Sequence, residues 1–212
     1  MNLLIKLFIQ YPILLFAITV HEYAHGKVAE RFGDDTARMM GRLTLNPVAH
    51  MDLIGTVILP LLSMITGAPL FGWAKPVPVN MYRLTKKQTS LVGIAGSVAN
   101  FITAGAFSLV FHILRINNIN LDGSEIIFFY GIIINIVLAV FNLVPIPPLD
   151  GSKVLSGLLP DKLAYAYENA MNQYGFFLLI FLLATGTLWG ILSPIINFLI
   201  KLFIPTNFWS FF

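Results

Sequence analysis

The chain has 212 residues, of which 57% are hydrophobic and only 11% charged, with a mean hydropathy of +0.81. A soluble globular domain carries roughly twice that charged fraction, and apolar stretches of about 20 residues recur along the chain, so several membrane-spanning helices are expected. The net charge of +3 suits basic juxtamembrane loops, no nucleic-acid-binding motif accompanies it, and the absence of cysteine excludes disulfides and thiolate metal ligands.

The first apolar run begins at Leu3, and a helix is expected from there to about Phe32. Lys6 ahead of an apolar core is signal-peptide-like, but no small-residue cleavage site follows, so a retained first helix is expected. A bend is predicted near Pro12 and a C-cap at Gly33. Residues 34–50 are mixed, and the alternation in Gly41-Arg-Leu-Thr-Leu-Asn46 predicts a short extended piece or hairpin. Leu53 to Thr66 is apolar, interrupted by Gly55 and Pro60, and at about 14 residues suits a re-entrant or tilted helix better than a full crossing.

Gly67 to Asn80 reads as extended loop, and Arg83, Lys86 and Lys87 mark a basic surface piece. Leu91–Leu114 and Glu125–Val144 are predicted spans, joined by a polar turn at 117–124. Small residues in the first of them, including Gly93, Gly96, Ser97 and Gly105, allow close helix approach. Residues 152–172 predict an interfacial helix, and Gly175–Phe203 an apolar segment breakable at Gly186, Gly190 or Pro194. The expected fold is an all-α polytopic membrane protein, a bundle of about five to six transmembrane or re-entrant helices with short extended or β segments near the site. One domain is expected over 1–212, with a core of about 3–155 and C-terminal helices of about 156–205.

Polar groups inside apolar segments are expensive and become functional candidates. His21-Glu22-Tyr23-Ala24-His25 forms an H-E-x-x-H motif within the first helix. Residues four apart share a helical face, so both imidazoles can serve one metal ion, and Glu22 lies close enough to take a proton from activated water. A pair of histidines bonded between helices is the plainer alternative. A catalytic zinc needs three protein ligands and an open position. Asp150 is the strongest candidate for the third: Pro145, Pro147 and Pro148 stiffen its turn and Gly151 widens the backbone choice there. A turn or capping aspartate would also explain it. If both site-bearing helix ends share one face and 53–66 dips in and returns, most Lys and Arg fall on that face, which positive-inside places in the cytoplasm.

The early His21–His25 motif, with Asn142-Leu-Val-Pro-Ile-Pro-Pro-Leu-Asp150-Gly151 later, resembles the site-2 protease family of intramembrane zinc metalloproteases. Gly41-Arg-Leu-Thr-Leu-Asn-Pro-Val-Ala-His50 and Phe71-Gly-Trp-Ala-Lys-Pro-Val-Pro-Val-Asn80 resemble its compact prokaryotic branch, over roughly residues 10–155, without a PDZ-like or CBS-like module. The resemblance implies one Zn2+ per chain on His21, His25 and Asp150, Glu22 as general base, and hydrolysis of peptide bonds in transmembrane or membrane-adjacent protein substrates. It also implies a multi-pass protein of a prokaryotic cell membrane, with the lipid bilayer and no nucleic acid as partner. Gly96-Ser-Val-Ala-Asn100 resembles the family's glycine-to-asparagine element, which makes Asn100 the candidate donor to the oxyanion. A helix-linking asparagine is the alternative, and Asn142 could orient the Asp150 turn.

His50 reads as a loop histidine, Thr19 and Tyr23 as packing, and Met39, Met40, Trp189, Phe208, Phe211 and Phe212 as lipid or interface contacts. The 71–80 stretch could add as a strand to an unwound substrate or seal the site. Rival readings are a metal transporter, a catalytically silent membrane scaffold, and a zinc protease whose third ligand is a glutamate such as Glu125 or Glu168. A transporter would place more ionisable residues along its spans, a scaffold has no need of Glu22, and no motif supports either glutamate.

Overall fold

A computed structural model describes residues 6–66, 72–119, 121 and 123–204; the expected start at Leu3, Phe71 and the phenylalanine tail lie outside them. The described residues form eight α-helices: α1 (Tyr11–Arg31), α2 (Thr36–Met39), α3 (Leu59–Thr66), α4 (Lys86–Ile116), α5 (Glu125–Asn142), α6 (Gly151–Leu158), α7 (Asp161–Ala184) and α8 (Thr187–Phe203). A π turn at Lys6–Gln10 precedes α1, and Pro12 sits in the first α turn, where its missing N–H matters least. At the far end Gly33 takes φ +91°, its N–H bonds Glu30 O and the Asp34 N–H bonds Ala29 O, a closure that needs the left-handed conformation.

No strand occurs among the described residues. The alternating Gly41–Asn46 stretch is turn and bend instead of hairpin. Gly41 sits at φ +66°, and the Arg42 and Leu43 N–H groups both turn back to Ala37 O, which removes donors that a ladder would require.

Side-chain pairings fix the helix directions. Ala17, His21 and His25 of α1 meet Asn100, Gly96 and Val92 of α4, in reversed order, so the two helices are antiparallel. The end of α1 and the start of α4 therefore lie at one end of the bundle, and the chain between them, including α3, makes no net crossing. Ser97, Asn100 and Phe107 of α4 in turn face Ala139, Asn135 and Phe128 of α5, which makes α5 parallel to α1. That returns the Asp150 turn to the histidine end of the bundle. Small residues set the closeness of the next crossing: a Cβ at Gly157 on α6 would lie 2.3 Å from Ser90 Cβ on α4.

The C-terminal part departs from expectation in where it breaks. Residues 152–172 do not form one helix, because Leu159 before Pro160 is extended and separates α6 from α7. The polar first half of α7 then runs unbroken into its apolar second half. Gly186, at φ +72°, is the real break, and α7 and α8 meet there at 75°. Pro194 stays inside α8. Away from the site, Phe111, Ile132, Ile136, Leu192, Ile196 and Ile200 close the core among α4, α5 and α8. Three described helices are long and apolar enough to cross a membrane (Leu7–Arg31, Lys86–Ile116 and Glu125–Asn142), and the bent α7–α8 pair makes up to a fourth span. The chain is a multi-pass membrane protein.

Candidate metal centre

His21 and His25 lie one turn apart on α1, and the turn after α5 brings Asp150 against both. Asp150 Oδ2 is 3.1 Å from His21 Nε2 and 3.0 Å from His25 Nε2, and all three side chains are buried. Ligands about 2.05 Å from a tetrahedral zinc stand about 3.3 Å apart, close to this spacing. The other ring nitrogens are already committed: His21 Nδ1–H donates to Asn100 Oδ1 at 2.6 Å and His25 Nδ1–H to Val92 O at 2.7 Å. Holding the proton on Nδ1 turns the Nε2 lone pair inward, the usual device for a metal-ligating histidine. His25 Nε2 has no hydrogen-bond partner although buried. Two imidazole nitrogens and a carboxylate oxygen this close suit one shared cation, and the residues fit zinc.

Gly96 on α4 leaves the space for it. A Cβ there would stand 2.5 Å from Nε2 of both histidines. In the Asp150 turn Pro147–Pro148 is cis. A Cβ at Gly151 would meet Leu143 O at 2.1 Å, so only glycine lets α6 start so close to the end of α5. Lys153 Nζ donates to Asp150 Oδ1 at 2.9 Å, leaving Oδ2 to face the histidines.

Glu22 Oε2 accepts the Val77 N–H at 2.8 Å. Val77 stands between Pro76 and Pro78, so it carries the sole backbone donor of those three residues. The strap 72–80 is pinned along the same edge. Trp73 N–H donates to Gly55 O, Lys75 N–H to His50 O, and the Arg42 guanidinium bonds Lys75 O at 2.8 Å. On the opposite edge Pro76 and Pro78 offer no N–H, so strand addition there would find few donors. The geometry suits a strap that seals the site. Asp34 anchors its end by accepting the Asn80 N–H at 2.6 Å.

Asn100 is at the site, but both its amide protons are engaged, by Ala17 O at 3.1 Å and Asn135 Oδ1 at 2.8 Å. In this geometry it positions His21 and has no donor left for an oxyanion. Asn142 bonds Leu138 O in its own helix instead of the Asp150 turn. His50 is buried with Nε2–H on Thr44 O, and Thr19 bonds Leu15 O within α1. Among the described residues the metal-competent cluster is His21, His25 and Asp150. Glu168 accepts the Ser156 hydroxyl. Glu125 starts the 18-residue α5, roughly 27 Å along the axis from the end that leads to Asp150. Sequence reasoning missed Asn135, Lys153, Val77 and Val92. Asn135 had a signal, as a lone amide in Ile132-Ile-Ile-Asn-Ile-Val137. Val77 and Val92 act through backbone atoms, which no residue type announces.

Residues 110–182 match the family described as Peptidase family M50. A Bacillus subtilis (strain 168) protein named "Putative zinc metalloprotease YwhC" is 38% identical over 216 residues, covering 92% of this chain and 95% of that one. The chain belongs to peptidase family M50. "Putative zinc metalloprotease Rip2" of Mycolicibacterium smegmatis is 31% identical over 178 residues, 82% of this M50 chain and 66% of its own. "Zinc metalloprotease MJ0392" of Methanocaldococcus jannaschii is 25% identical over 154 residues, 72% and 35% of the two chains. No solved structure matches. As an M50 peptidase the protein is a site-2-type zinc metalloendopeptidase with Zn2+ as cofactor.

Proposed function

We propose that His21, His25 and Asp150 hold the zinc, that Glu22 is the general base, and that the substrates are transmembrane or membrane-adjacent protein segments. The observation that carries this reading is the convergence of two Nε2 atoms and one carboxylate oxygen, with Nδ1 of both rings tied back, beside a glutamate. Bound zinc supplies Lewis acidity, which acidifies water and polarises a carbonyl. The chain supplies the proton path. With Oε2 held by Val77 N–H, Glu22 keeps Oε1 to accept a proton from water and pass it to the leaving amine.

Depth supports a membrane substrate: His21 is ten residues from Arg31 at the end of its span, roughly 15 Å along the helix axis. Charge supports a cytoplasmic site in a prokaryotic cell membrane. Of 13 Lys and Arg, only Lys6, Arg115 and Lys201 lie toward the other end of the bundle, leaving ten at the site-bearing end.

The test compares wild type, Glu22→Gln and Asp150→Ala in detergent for zinc content and cleavage of a transmembrane reporter. Zinc in the first two, cleavage by wild type alone and zinc loss in Asp150→Ala are expected. Full zinc in Asp150→Ala removes the third-ligand assignment, and cleavage by Glu22→Gln at the wild-type rate removes the base.

A further inference from the structure

Asn135 is fully buried in the middle of α5, in a run of isoleucines where an unbonded amide would be costly. Its Nδ2 donates to Gly131 O at 2.8 Å, which fixes the plane of the amide and points Oδ1 across to α4. Oδ1 there accepts from Asn100 Nδ2, and Asn100 Oδ1 accepts from His21 Nδ1. Three helices are thereby linked by one directed chain of hydrogen bonds. Each link sets the sense of the next. An acceptor at Asn135 keeps the NH2 of Asn100 turned away from His21 and its carbonyl turned toward it. Were the Asn100 amide reversed, its NH2 would face His21 Nδ1, which would become the acceptor and move the ring proton to Nε2.

We propose that Asn135 is a positioning residue for the zinc site: through Asn100 it fixes the Nδ1–H tautomer of His21 and so keeps Nε2 free to bind the metal. This rests on the reading of His21 as a zinc ligand. Ala17 O also accepts from Asn100 Nδ2, so loss of Asn135 weakens the arrangement without abolishing it. Hydrogen-bond partners of ligating histidines typically contribute about 10- to 100-fold to metal affinity, and the shared acceptor places this one near the lower end.

The informative variant is Asn135→Leu, which keeps the branched shape and heavy-atom count, though with bulkier ends, and removes the acceptor; Asn135→Asp, as the neutral acid, offers an acceptor carbonyl and a donor hydroxyl in place of the amide. Zinc affinity is read by chelator competition in detergent. The His21 Nδ1–H is followed by NMR of 15N-histidine-labelled, zinc-loaded protein, with helicity checked by circular dichroism. The expected result is zinc binding about tenfold weaker and faster exchange of the His21 Nδ1–H in Asn135→Leu, both recovered in Asn135→Asp. Wild-type affinity with an undisturbed Nδ1–H in Asn135→Leu overturns the proposal. So does weaker zinc binding in both variants with the Nδ1–H unchanged, which reports packing alone. His21→Ala is run beside them: if it holds zinc as tightly as wild type, the ligand reading itself fails.

Discussion

Replacing Gly96 by alanine adds one methyl group at the point where α4 passes the two histidines. The new Cβ would lie 2.5 Å from His21 Nε2 and from His25 Nε2, about 0.9 Å inside the 3.4 Å at which ordinary contact begins. The rings cannot easily retreat, because His21 is tied to Asn100 and His25 to Val92, one turn to either side of Gly96 on the same helix. If α4 withdraws it breaks both bonds, each leaving a buried polar group at about 1–3 kcal/mol. If the rings swing, Nε2 moves several times farther than the roughly 0.2 Å that metal–ligand distances tolerate. Losing an outer-shell partner alone costs about 10- to 100-fold in affinity, so displacing two ligands predicts zinc binding at least about 100-fold weaker. Helix propensity pulls the other way, since Gly to Ala in a helix interior favours folding by roughly 1 kcal/mol. Gly96→Ala should therefore keep its helicity while losing zinc, measured by metal content and chelator competition beside circular dichroism. A Gly96→Ala protein that binds zinc as wild type does would refute the placement of the metal between these rings.

Lys153→Met should leave the Asp150 carboxylate free to rotate, and zinc affinity should fall by about tenfold in chelator competition; no change would show that the turn alone holds Asp150. Val77→Pro removes the N–H on Glu22, so turnover should drop by about tenfold or more with zinc retained, whereas Val77→Ala, which keeps the N–H, should lose less. Equal losses in the two would assign the effect to packing. Burial raises the Asp34 carboxyl, but donors from Thr36 and Asn80 outweigh it and hold it below its ordinary 3.8. A depressed carboxylate stabilises the fold above pH 3.8, and that contribution is lost as pH falls through the lower folded value. Thermal unfolding across pH should accordingly show Asp34→Asn less stable near neutrality and less acid-sensitive below pH 3.8; parallel curves for both proteins would remove this role.

What the sequence by itself determined is what chemical cost makes visible. Long apolar runs located the spans, the expense of His21, Glu22 and His25 inside one of them marked the candidate metal centre, and three prolines before Asp150-Gly151 marked a turn. Gly33 was legible for a local reason, since a left-handed turn is read from one residue, whereas Gly186 was one of three candidate breaks until the structure showed which of them takes positive φ. Tertiary structure decided everything that depends on distance between helices. The expected strand at 41–46 gave way because Ala37 O captured its donors, an outcome set by the neighbouring helix and absent from the alternation itself. Asn100 stands at the site as expected, yet its role follows from two acceptors, Ala17 O and Asn135 Oδ1, on other helices. Val92 and Val77 serve through a carbonyl and an amide that every residue possesses, so composition could not single them out. The return of 53–66 to its starting face was suggested by its length, but it was the reversed pairing of α1 with α4 that required it.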